Sequence, residues 1–333
     1  MLTYIYTKHQ NKGELTKIDL RFLYEIDNKI TGFGYKKDPR IEELLEGRNV
    51  RKDLALVFDC KEENISLTKE EALKENIIYH YGNLDLGDIT SAEGLKLPDK
   101  IVGNLSLSGL RSVEGLKLPT EIKDSLYLSG LTSAEGLNLP TEIKGTLDLS
   151  GLTSAEDLKL PNEIGGDLYL GGITSAEGLK LPNEIGGNLL LSDLASVEGL
   201  NLPNEIGGAL YLDGLTSAEG LELPAKIGGN LWLRGLTSAE GLKLSTEIRG
   251  NLSLSGLTSA EGLELPAKIG GWLDLSSLRS VKNLKLPTEI GERIYLTSLE
   301  SLEGLDLSSS LILKMSFSDG IKKQLINGRT KCA

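Results

Sequence analysis

The sequence predicts a mainly β protein: a parallel β-solenoid of about eleven 21-residue coils, with a small α/β cap at its N-terminus. Three observations carry that reading. Proline recurs at 98, 119, 140, 161, 182, 203 and 224, then at 266 and 287, on a strict step of 21 residues, with Ser245 in the one skipped place. Each unit repeats the same apolar positions, which in one copy are Leu126, Leu128, Leu131, Ala134, Leu137, Leu139 and Ile143. Those positions fall into two Leu-x-Leu pairs per unit, the period of two that a strand with one buried face requires. A helix would need three-and-four spacing over ten or more residues, which no unit offers.

Within a unit, Gly precedes the first pair and Ser-Gly follows it, supplying turns. Pro after the second pair is expected to end that strand, because it cannot donate a ladder hydrogen bond. One unit cannot bury its own leucines, but stacked units can, with each Leu column running along the interior at the ~4.8 Å strand spacing. About seven inward side chains per coil, at roughly 1.5 to 3 kcal/mol each when buried, support a long stack. The copies run from about Gly82 to about Ile312, a rod on the order of 50 Å at that spacing. Ala134 and its equivalents suit a tight corner.

Residues 1–80 lack the period. Ile18, Leu20, Phe22, Tyr24 and Ile26 alternate with polar residues, and TYIYT (Thr3 to Thr7) is strand-like, so a hairpin is expected. PRIEELLEGRN reads as a short helix, Asp53 to Phe58 as a buried strand, and Thr68 with Glu71 as a capping box. This unit is expected to close the open end of the solenoid spanning 81–312. Residues 313–333 read as a C-terminal cap with a basic tail: Lys314, Lys322, Lys323, Arg329 and Lys331.

The LxLxxL segment, the LPxxIGG segment and the unit length resemble leucine-rich repeats, and coils such as IGGNLWLRGL are also similar to the β-helix of receptor L domains. The resemblance covers roughly two thirds of the chain. It implies a recognition scaffold and no particular activity. One departure is that Ser129, Ser150, Asp213 and Arg234 stand where an Asn is usual, so no regular Asn ladder is expected. Asn104, Asn188, Asn230 and Asn251 stand before the first Leu, in a column that Ala209 and Trp272 break.

Composition sets further bounds. A net charge of -12 disfavours a sequence-independent grip on nucleic acid. Cys60 and Cys332 form no disulfide framework or zinc motif, which fits a reducing compartment. The first residues, MLTYIYTKHQNKGEL, lack a signal-peptide core and no run is long enough to span a bilayer, so a cytoplasmic location without membrane contact is expected, a specialised secretion route remaining open. His9 and His80 are far apart, and no cluster has metal-ligand spacing, so no catalytic residues, metal or cofactor are expected.

Carboxylates form columns: Glu93, Glu114, Glu135, Glu156 and Glu177 in SAEG, and Glu121, Glu142 and Glu163 in the second. Calcium solenoids use such turns. Here, however, the second column switches to Lys226 and Lys268 where the residue four before switches from Lys to Glu222 and Glu264. That covariation predicts exposed ion pairs four residues apart, each of about 0 to 1 kcal/mol.

One column is not constant. The residue between the first two leucines, which points outward if they point in, runs Asp85, Ser106, Tyr127, Asp148, Tyr169, Leu190, Tyr211, Trp232, Ser253, Asp274 and Tyr295. Asp167, Asn188 and Asn230 flank it on one side, Asp213 and Arg234 on the other. Aromatic, Arg and Asp side chains on a rigid sheet are the composition of an interaction hot spot. The expected site is therefore Tyr127, Asp148, Asp167, Tyr169, Leu190, Tyr211, Asp213, Trp232 and Arg234, on a monomer that holds a protein partner. Two other readings stay open: glycan binding, and a spacer or delivery arm for the N-terminal unit.

Overall fold

The computed structural model describes residues 1–30, 38–245, 247–282, 284–301, 303, 314–317 and 321. Each coil places two short strands in two parallel ladders. In the copy quoted above they are Leu126–Tyr127 and Glu142–Ile143. Every rung between coils joins residues 21 apart, as Leu168 to Leu189 and Glu163 to Glu184, and only the pairing of Ile65 with Tyr79 at the N-terminal end departs from that step. Coils are numbered here from Gly82 in steps of 21, so Tyr169 lies in coil 5 and Trp232 in coil 8.

The first ladder has twelve strands, from Leu84–Asp85 to Met315–Phe317. Its last strand pairs with Ile294–Leu296 at the same step, so the segment expected as a C-terminal cap adds one further rung. Lys322, Lys323, Arg329 and Lys331 lie outside the described residues. The second ladder has nine strands, from Ile65–Ser66 to Lys226–Ile227, and three more from Glu247–Ile248 to Glu289–Ile290. The fold is thus a mainly β, parallel β-solenoid of about eleven turns, with helices at its N-terminus.

The leucines face inward as expected. Leu126, Leu128, Leu131, Ala134, Leu137 and Ile143 are buried, and Leu139 is half-buried. The second Leu-x-Leu pair is not a strand, however. The second strand lies just after the proline position, at the EI or KI of each unit. Stacked prolines remove the N–H at that level in every coil from the first to the tenth except the one with Ser245, so the ladder forms only where donors resume.

Side chains lock coil to coil in the column before the first Leu. Asn83, Asn104 and Ser125 accept the backbone N–H of Asn104, Ser125 and Thr146, each at 3.0 Å. Asp167 and Asn188 do so for Asn188 and Ala209, at 2.6 and 2.7 Å, and Asn230 and Asn251 for Asn251 and Trp272, both at 2.8 Å. A side-chain ladder therefore exists on the residue before the pair, because Ser and Asp accept as Asn does and any residue can donate at its upper end.

The N-terminal unit is helical where strands were expected. Helix α1 spans Leu2–Gln10, α2 Lys17–Leu23, α3 Pro39–Leu45, α4 Val50–Phe58 and α5 Lys69–Ala72. A Thr16–Asp19 capping box starts α2, and Leu20, Leu23 and Tyr24 bury one face at helical spacing while Ile18 is 68% exposed. The alternation of apolar residues there was a coincidence of period, overruled by the cap. Asn49 caps α4 in the same way, accepting from the Lys52 N–H, so the Asp53–Phe58 segment is helix. Helix α3 falls where PRIEELL predicts it. Thr68 caps α5, but Glu71 turns to the Leu67 N–H and Arg51 instead of completing a box.

This unit lies against the first coils. Ala72 enters the solenoid core, Ile65–Ser66 pairs with Tyr79–Tyr81 to extend the second ladder, and Tyr79, Tyr81 and Val102 pack against Leu20, Tyr24 and Leu54. Tyr24 and Arg48 both donate to the buried Asp53.

Candidate functional site: the ribbon on the first sheet

Alternation on the first ladder sets the site. With both leucines of each pair buried, the residue between them points off the sheet, and these residues lie in register up the ladder, as Tyr127 to Asp148, Asp148 to Tyr169, Tyr169 to Leu190, Leu190 to Tyr211 and Tyr211 to Trp232. The six predicted residues of this column share one face of one sheet, half-buried by their neighbours above and below. Asp167, Asp213 and Arg234 join them from the flanking columns through the contacts below.

In the upper half the rings form a continuous cluster. Tyr211 and Trp232 stack with ring centres 5.7 Å apart and planes within 9°. Trp232 then meets Trp272 edge-on at 5.3 Å, and Trp272 meets Tyr295 at 6.0 Å. Arg234 lies over the Trp232 ring at 5.0 Å and makes a two-pronged ion pair with Asp213, Nε and Nη2 donating at 2.9 and 2.8 Å. Ser253 lies in register between Trp232 and Asp274 and is 1% exposed. Its Oγ and the Trp232 Nε1 are buried without a hydrogen-bond partner. Trp232 and Arg234 thus belong to one cluster, with Asp213 fixing the guanidinium above the indole.

The lower half is built differently. Tyr169 donates its hydroxyl to Asp167 Oδ2 at 2.8 Å, and burial, then Asp167, pushes its pKa up to about 12. Asp148 accepts the Ser150 N–H at 3.0 Å. Neither Asp148 nor Asp167 has an ion-pair partner among the described residues.

Sequence reasoning missed Trp272 and Tyr295 as members of the cluster. The available signal was Ser253: a small side chain between large ones leaves room that the neighbouring column fills.

Other chemistry-bearing groups lie elsewhere. His80 Nδ1 is 2.9 Å from Ser66 Oγ, but both residues are fully buried, and burial lowers the pKa of the imidazole. Burial, then Asp59, raises that of the Cys60 thiol. Among the described residues no three acidic, His or Cys side chains are grouped to hold a metal, and no helix is long and apolar enough to cross a membrane. A cleft of 520 Å³ lined by Leu158, Pro161, Lys180 and Pro182 opens beside the proline corners, away from the ribbon. The ion pairs also differ from expectation. Lys226 pairs with Glu205, Lys100 with Glu121 at 3.1 Å and Lys268 with Glu289 at 3.5 Å, all between adjacent coils. Neighbours on the ladder sit closer than residues four apart around a corner, so the switch in sign is read vertically.

The chain matches no family model, no curated protein and no solved structure.

Proposed function

We propose that the chain is a non-enzymatic interaction scaffold of the leucine-rich-repeat type, cytoplasmic and monomeric, that holds a protein partner on the ribbon from Tyr127 to Trp232. The observation that carries this reading is the contrast between columns. The buried ones are almost uniform, while the outward one concentrates Tyr169, Leu190, Tyr211 and Trp232 on consecutive coils. The surface is a flat sheet face and the cleft described lies elsewhere, which suits an extended macromolecular contact more than a small ligand. Buried Ser66 and His80 and the raised Cys60 thiol favour binding over catalysis.

Glycan recognition is the second reading, favoured by aromatic rings beside Asp and Asn. A sugar ring stacks on an open aromatic face, whereas the Trp232 ring is already engaged by Tyr211, Trp272 and Arg234. A protein is therefore the preferred partner. A delivery arm for the N-terminal unit is disfavoured by the way that unit's own core continues onto Tyr79, Tyr81 and Val102.

The test is affinity capture from the native cell with the Tyr211→Ala/Trp232→Ala double variant as control. The expected result is an unchanged far-ultraviolet circular dichroism spectrum with loss of a specific protein. Equal capture by both forms overturns the site, and a glycan array with hits that the double variant loses moves the assignment to sugars.

A further inference from the structure

We propose that the partner contacts the ribbon through a basic polypeptide segment, and that Asp148, set between Tyr127 and Tyr169, receives one of its arginine or lysine side chains. This rests on the interaction reading and names the chemistry of the occupant.

The ribbon carries its own template for such a contact. In coils 7 and 8, Arg234 is held by Asp213 through two hydrogen bonds while its guanidinium covers the Trp232 ring at 5.0 Å. One carboxylate and one aromatic face together hold one cation there. In coils 3 to 5 the register sets Tyr127, Asp148 and Tyr169 directly above one another. The two tyrosines thus leave the backbone one strand spacing, ~4.8 Å, to either side of Asp148. A cation paired with that carboxylate has an aromatic side chain on each adjacent rung, and aromatic faces attract cations within ~6 Å. Asp148 spends one oxygen on the Ser150 N–H and has no ion-pair partner among the described residues. The lower half therefore presents acid and rings without the cation that the upper half supplies internally.

Charge complementarity points the same way. Asp85, Asp148, Asp167, Asp213 and Asp274 lie along the ribbon and its flank, against Arg234 and Arg293, on a chain of net charge -12. Asp213 is already paired with Arg234, but a basic segment gains from the other four carboxylates, whereas an acidic one meets them as like charges. A neutral sugar would not draw on the field at all.

Binding of acetylated, amidated hexa-arginine to the full chain, measured by titration calorimetry at low salt, tests the proposal. Asp148→Asn keeps the acceptor for the Ser150 N–H and removes only the charge. It is expected to weaken binding roughly fivefold, the loss of one surface charge contact. Tyr169→Leu is expected to weaken binding in the same direction. Glu135→Gln/Glu156→Gln removes twice the charge from the opposite corner and is expected to leave affinity within about twofold. The proposal is overturned if Asp148→Asn binds like the parent, if the corner variant loses as much, or if a neutral hexasaccharide binds in an Asp148-dependent manner while the peptide does not. The interaction reading fails separately. Capture that survives Asp148→Asn but not the Tyr211/Trp232 variant removes only this inference, whereas capture indifferent to the latter removes the ribbon itself.

Discussion

Replacing Gly207 by alanine should open the stack between coils 5 and 6. A Cβ at Gly207 would lie 2.1 Å from the Gly186 carbonyl oxygen and 2.8 Å from its carbon, both backbone atoms that cannot rotate away. Relief to van der Waals distance needs about 1 Å of separation, since C···O contacts lie near 3.2 Å or more. The Gly207 N–H to Ile185 and Gly208 N–H to Gly187 hydrogen bonds are both 2.8 Å, so that shift carries them past any useful length. Gly207 is exposed and Gly208 half-buried, so water takes up the freed donors, and two lost hydrogen bonds at about 0.5 to 1.5 kcal/mol each give an expected loss of about 1 to 3 kcal/mol. Two other glycines calibrate the effect. Gly262 has φ +74° and open space around its Cβ, so Gly262→Ala should cost about 1 kcal/mol for the left-handed backbone alone. Gly171 has open space and an ordinary φ, so Gly171→Ala should be neutral or slightly stabilising through the unfolded chain. Urea and thermal unfolding followed by circular dichroism and by the fluorescence of Trp232 and Trp272 would rank the three. If Gly207→Ala falls within about 0.5 kcal/mol of Gly171→Ala, the close stacking of these corners is wrong.

Three further outcomes follow from particular residues. Asp157 holds φ 60° where every other copy but one, which has Asn283, places Gly, so Asp157→Gly should raise stability by about 0.5 to 1 kcal/mol, read as a higher unfolding midpoint. Burial depresses the His80 pKa below its unfolded value, so above about pH 6.5 both states are neutral and nothing is lost. As pH falls below that value the unfolded chain takes up the proton first and stability drops until the folded pKa is passed, a decline that His80→Gln should flatten in unfolding curves at pH 7 and pH 5. Tyr211→Ala/Trp232→Ala should remove partner capture while the circular dichroism spectrum stays that of a β-solenoid.

The 21-residue step made the solenoid legible because the ladder imposes that step on every copy: Leu126, Leu128, Leu131 and Ile143 each report the same inside at each turn. Strand placement was less legible. Leu137-x-Leu139 has the period of a strand, yet whether a segment forms rungs depends on donors in the coils above and below, and Pro140 denies them one residue later. The N-terminal helices were hidden for a related reason. Ile18, Leu20 and Phe22 alternate by chance, and the deciding information sat in Thr16 and Asp19, whose capping box outweighs three apolar positions. At the ribbon, the outward column could be read from alternation alone. Trp272 could not, because it joins the cluster by leaning across a column, a contact set by the room left at Ser253.

Photocrosslinking along the ribbon tests most directly whether it is the surface that meets the partner. Benzoylphenylalanine placed singly at Tyr127, Tyr169, Leu190 and Tyr211, with Glu135 and Glu219 on the far corner as controls, would be irradiated in the native cell. The expected result is one protein adduct, common to the ribbon positions and absent from the corner ones. Adducts of equal yield from both sets, or from the corner alone, would contradict the account.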